Sequence, residues 1–132
     1  MVKANILIIQ EGVHVHYPEC KGGLGVRVVH PSSSRARSEN LSVSMLYLIP
    51  GGVLKPHCHS NEEVYVILSG MGKGSFGFDE PVKVEEGQFI HLPPNCEHGI
   101  ENTGGEMMVI LIATSPPIQA ELSKEEAKCY KV

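Results

Sequence analysis

The chain reads as a succession of short apolar runs broken by Gly, Pro, Asn and Ser, with almost no helical period before residue 118. Side chains in a strand alternate faces, so brief runs rich in Val, Ile, Leu and Tyr between turn-forming residues predict strands. The predicted strands are Ile6–Ile9, Val26–Val29, Leu41–Ile49, Glu63–Leu68, Lys73–Phe78, Val82–Val84, Gln88–Leu92 and Met107–Ala113. Many short strands at such spacing predict an all-β sandwich or barrel. The one helix signal is Ser123-Lys124-Glu125-Glu126, which has capping-box spacing and predicts a short C-terminal helix over about 124–130. Pro116-Pro117 separates it from the last strand. No stretch resembles an interdomain linker, so residues 1–132 read as a single domain.

Composition narrows this picture. A chain of 132 residues, 42% of them apolar, can bury one core. The net charge of −4 argues against a nucleic-acid partner, which calls for clustered basic residues. Arg35 and Arg37 sit among serines beside Glu39 and read as a solvated loop. No run of 18 apolar residues is present, so no membrane span is expected. The N-terminal apolar run is short and lacks a small-residue cleavage site, so a secretory signal is not expected. The expected compartment is the cytoplasm. Cys20, Cys58, Cys96 and Cys129 form no CxxC pair and read there as reduced thiols.

The histidines carry the chemistry. His57 and His59 flank Cys58, and Glu63 follows four residues after His59. In a regular strand, positions 57, 59 and 63 share one face. His98 lies downstream, after the turn-forming LPPNCE, where a barrel can bring it opposite the first three. Three imidazoles and a carboxylate suit a borderline divalent ion and leave coordination positions open. Two histidines at i and i+2 also occur by chance in strands, so the surrounding framework decides the matter. His14, His16 and His30 show no ligand spacing.

Residues 51–70, GGVLKPHCHSNEEVYVILSG, carry Gly51, His57, His59, Glu63 and Gly70 at the spacing of the first cupin motif. Residues 87–102, GQFIHLPPNCEHGIEN, carry Gly87, Pro93, His98 and Asn102 at the spacing of the second. The chain thus resembles the cupin family over about residues 41–114. Asn95 stands where that family usually has Gly, a mild departure because Asn tolerates the left-handed conformation of a tight turn. The resemblance implies a double-stranded β-helix, or jelly-roll, barrel. It further implies one divalent transition metal per chain (Mn, Fe, Zn, Ni or Co) held by His57, His59, Glu63 and His98.

Strand parity turns Glu62 away from that centre and Tyr65 towards it, as core filler or as a group that meets substrate. His91 shares a face with Phe89 and is a candidate for inward acid–base work, beside the plainer reading of a partly buried histidine bonded to backbone. Cys58, facing opposite to its neighbours, is expected to be buried. The resemblance implies a metal-dependent enzyme acting on a small polar, carboxylate or sugar-like substrate, of decarboxylase, isomerase, lyase or dioxygenase type. A non-catalytic metal- or ligand-binding module is the alternative. The apolar run Val2–Ile9 reads as an edge strand that a twofold mate would cover, so a homodimer is expected.

Overall fold

The computed structural model describes residues 1–118, so the helix expected over 124–130 and Cys129 lie outside the described residues. Among the described residues nine strands form: β1 Val13–Val15, β2 Cys20–Val29, β3 Ser42–His57, β4 Glu62–Ser69, β5 Met71–Ser75, β6 Val82–Glu85, β7 Phe89–Leu92, β8 His98–Glu101 and β9 Met108–Ser115. All their ladders are antiparallel. No helix among the described residues is long and apolar enough to cross a membrane.

β3 is the hub. Its first half, Ser42 to Leu48, pairs with β9, and its second half, Val53 to His57, pairs with β8. The switch falls at Pro50-Gly51-Gly52. Gly51 has φ 82°, a left-handed conformation that only glycine adopts without strain. Asn102 pins the bend, because its N–H donates to the Gly52 carbonyl (2.9 Å) and its own carbonyl accepts from Gly51 (2.9 Å). Its buried amide Nδ2 also donates to the carbonyls of Leu48 (2.9 Å) and Glu106 (2.7 Å). From this hub the ladder runs to β9, β4 and β7 on one side and to β8, β5 and β6 on the other.

The two arms curl onto each other and close a jelly-roll barrel. Leu46, Leu48, Ile67, Leu92, Ile100 and Ile110, drawn from both arms, pack into one core cluster. Alternation explains which residues enter it. Along β3, Ser42, Ser44, Leu46 and Leu48 are buried while Val43, Met45 and Tyr47 are only half-buried.

The expected strand at Ile6–Ile9 does not form. The chain there has no ladder partner and turns instead through a short 3-10 helix, Ile9–Glu11, in which Glu11 and Gly12 donate to the carbonyls of Ile8 and Ile9. Arg35, expected to be a solvated loop residue, is exposed as predicted but ion-pairs with Glu11 (2.6 Å) and donates to the Ile6 carbonyl (2.8 Å).

Candidate metal centre

β3 ends at His57 and β8 begins at His98, and the two are direct cross-strand partners. His59 lies in the β3–β4 turn, and Glu63 is the second residue of β4. The second motif's turn docks on the first: Asn95 donates its N–H to the His59 carbonyl at 2.8 Å. Asn95 has φ 67°, the glycine-like conformation expected of it. Histidines far apart in sequence are thereby brought together, and their ligand atoms and those of Glu63 all lie within 4.8 Å of one another. All four side chains are buried.

Backbone carbonyls orient every ring. His57 Nδ1 lies 2.7 Å from the Lys55 oxygen, His59 Nδ1 3.0 Å from that of Asn61, and His98 Nδ1 2.8 Å from that of Cys96. A carbonyl only accepts, so each neutral ring donates from Nδ1 and presents a bare lone pair at Nε2. Two of these Nε2 atoms face one carboxylate oxygen: Glu63 Oε1 lies 2.7 Å from His59 Nε2, a hydrogen bond that needs a proton on one of the two atoms, and 2.9 Å from His98 Nε2. Thr114 Oγ1 donates to the other oxygen, Oε2, at 2.8 Å and fixes the carboxylate plane. His98 Nε2 is buried and, although Glu63 Oε1 lies 2.9 Å away, makes no hydrogen bond.

The titration behaviour follows from this packing. Burial, reinforced by the adjacent His98, pushes His57 down to about 4. Burial would raise Glu63, but the facing His59 and His98 rings outweigh it and hold the carboxyl at about 2. Three imidazole nitrogens, once deprotonated, and an ionised carboxylate gathered at one point are the donor set of a borderline divalent cation. Together with the orphaned nitrogen of His98, this shows that the residues present fit one such ion.

A cavity of about 260 Å³ opens over the cluster. Glu19, from the β1–β2 turn, lines it with its side chain only 10% exposed and Oε1 3.8 Å from His57 Nε2. Its Oε2 is buried without a hydrogen-bond partner. Burial, with a contribution from Glu63, raises its carboxyl above the usual range. Sequence spacing gave no sign of Glu19. Thr114 and the cavity-lining Ser42 and Ser44 did leave a sign: they are polar residues at the inward positions of otherwise aliphatic strands.

Tyr65 faces inward, fully buried, with its ring edge-on to His98 at a centroid distance of 5.7 Å, and it lines the cavity. His91 is a correction. It pairs across the ladder with Val64, on the outer face, and its exposed ring sits 2.5 Å from Glu62 Oε2. Phe89 does share that face, but the face is the outer one and Phe89 is exposed. Glu62 points away from the cluster, as parity predicts. Cys58 is half-buried rather than buried. His14 and His16, set aside on spacing, are exposed residues at the cavity rim.

Comparison with known proteins agrees with this architecture. An uncharacterised protein of Methanocaldococcus jannaschii is 29% identical over 100 residues, 76% of this chain and 78% of that protein. Auxin-binding protein 1 of Arabidopsis thaliana is 36% identical over 80 residues, which cover 53% of this chain and 40% of that protein. The polyketide cyclase RemF from Streptomyces resistomycificus shares the fold with a TM-score of 0.73 at 18% identity, over 96% of this chain and 92% of that one. The cupin domain model matches residues 44–114, more than half of the sequence and the span that carries all four clustered side chains. The chain belongs to the cupin family.

Proposed function

We propose that this protein is a metal-dependent cupin enzyme that acts on a small polar, carboxylate or sugar-like molecule, with one divalent transition metal held by His57, His59, Glu63 and His98. The observation that carries this reading is the gathering of the Nε2 atoms of three rings, each held at Nδ1 by a backbone carbonyl, within 4.8 Å of one another and of the Glu63 carboxylate at the edge of a cavity. Such an ion, when bound, supplies Lewis acidity or oxygen activation at its open positions. The chain supplies the rest. Thr114 holds the Glu63 carboxylate in place, and Tyr65 packs against His98 and restricts its ring. Glu19, beside His57, offers a carboxylate oxygen that accepts a hydrogen bond from a ligand hydroxyl or water in the cavity. The small cavity favours a metabolite-sized ligand over a polymer.

A non-catalytic binding module is the second reading. It is favoured by the likeness to a plant protein named for binding auxin, just as the enzyme reading is favoured by the likeness to a polyketide cyclase. The two separate by experiment. The ion retained on purification is identified, and the loaded protein is incubated with organic acids and sugars while substrate loss and oxygen uptake are followed. Metal-dependent conversion that chelation abolishes supports the enzyme. Oxygen uptake with iron would assign a dioxygenase, and conversion without it a decarboxylase, isomerase or lyase. Saturable binding with no conversion under any ion would leave the binding module.

A further inference from the structure

Arg27 is a buried cation with no anionic partner among the described residues. It lies on β2, 4% exposed, and lines the same cavity as His57, His59 and Glu63. Register shows why it faces inward. Arg27 pairs with Ser44, Ser44 with Ile112, and Ile112 with Tyr65, which makes one row across β2, β3, β9 and β4. The neighbouring row is Ser42, Thr114 and Glu63. Cross-strand partners share a face, so Arg27 stands on the inner surface that carries Glu63. At about 4.8 Å per strand, its backbone lies roughly 14 Å along the curved sheet from that of Tyr65. Arg27 and the histidine cluster thus line one cavity of about 260 Å³, the size of a small molecule.

The hydrogen bonds of Arg27 do not account for its charge. Nη1 donates to Ser33 Oγ (3.1 Å) and Nη2 to the Ile118 carbonyl (3.0 Å), both neutral acceptors. The guanidinium has five N–H donors. No carboxylate of the described residues comes within 4.0 Å of it, although Glu19 and Glu63 line the same cavity. A buried charge without a counter-charge is costly, and a structural Arg would be expected to take one of those two.

We propose that Arg27 is the anion subsite of this cavity. The ligand is a small organic acid whose carboxylate pairs with Arg27 and whose second oxygen-bearing group reaches the His57, His59, Glu63 and His98 centre. This rests on the metal-centre reading above and narrows it to acids. The planar guanidinium fork matches a carboxylate in two parallel hydrogen bonds. A monoanion suits the site better than a phosphate dianion, because one guanidinium balances one charge and the cavity already holds two carboxyl groups.

The test uses the full chain loaded with zinc and two probes of equal length: the monohydroxamate of succinic acid and butyryl hydroxamate. Both present a hydroxamate to the metal, and only the first carries a carboxylate. Metal content is measured first and binding by calorimetry second. In the wild type the acid should bind about tenfold or more tightly than its neutral counterpart, the scale of one charge-assisted pair. Arg27→Gln should bind the two within about twofold while keeping its metal, and Arg27→Lys should keep part of the preference. Equal binding of both probes by the wild type overturns the proposal, as does a preference that survives Arg27→Gln. If Arg27→Gln fails to fold, the wild-type comparison and Arg27→Lys decide. A wild type that takes up no zinc and binds neither probe is a different failure, because it removes the metal-centre reading and this inference with it. Inorganic phosphate that displaces the acid more strongly than acetate does would overturn the choice of carboxylate.

Discussion

At the scale of single residues, the cluster is aimed by three backbone carbonyls and one side-chain hydroxyl, and the hydroxyl can be removed. Thr114→Val keeps the shape but deletes the hydroxyl that donates to Glu63 Oε2. Loss of such a supporting hydrogen bond should weaken metal affinity about 10- to 100-fold with little change in fold, as a chelator competition would show. His57 makes a prediction in pH. Its folded value of about 4 lies below the ordinary 6.5, so between those limits the unfolded chain binds the extra proton. The stability of metal-free protein should therefore fall as pH drops from 6.5 to 4, by roughly 3 kcal/mol from this group, and level off for it below 4. Urea melts at pH 7, 5.5 and 4 check this, and a flat profile would show that His57 is not buried in its neutral form. The residues of the cluster were legible because motif glycines, spacing and strand parity converge on them. Glu19 and Arg27 were not, because each depends on which strand register faces the cavity, and a single strand's pattern does not encode register.

At the scale of elements, aliphatic alternation made β4, β6, β7, β9 and the first half of β3 readable. Two strands were missed. β1, VHV, is short and carries a histidine, and β8, HGIE, is polar enough to pass for a turn. The reach of β3 to His57 was hidden by Pro50-Gly51-Gly52, which punctuates a loop in most sequences but here lets one strand serve both arms. The misassigned strand at Ile6–Ile9 has the right composition and no partner, so its backbone groups turn to local bonds. Asn102 is the pin of the β3 crossover. Asn102→Ala would leave the Leu48 and Glu106 carbonyls without its amide, and should cost about 2 kcal/mol or more in chemical denaturation. Because the crossover positions His57 against His98, the same variant should also bind metal more weakly. Normal stability and normal metal content would show that the bend holds without it.

At the scale of the whole molecule, the fold class and the gathering of His57, His59, Glu63 and His98 could be read from the chain, whereas the cavity and its walls required the barrel to close. The core cluster of Leu46, Leu48, Ile67, Leu92 and Ile110 does not depend on the four clustered side chains, so the barrel should survive chelation. A thermal melt of chelated protein should stay cooperative and shift down, with the shift restored by metal. Complete unfolding on chelation would make the centre structural. The exposed Val2, Ile6 and Ile8 near the N-terminus are the apolar surface a twofold mate would cover, and light scattering at micromolar concentration should show a homodimer. A monomer would overturn that expectation. The central claim is tested most directly by the metal-to-protein ratio after stripping and reloading, measured by mass spectrometry on wild type, Glu62→Gln and Glu63→Gln. These two neighbours differ in little but the face on which they stand. Wild type and Glu62→Gln should each hold one ion per chain, and Glu63→Gln should lose it by about tenfold or more under the same wash. A Glu63→Gln protein that keeps its ion, or a wild type that takes up none, would contradict the account.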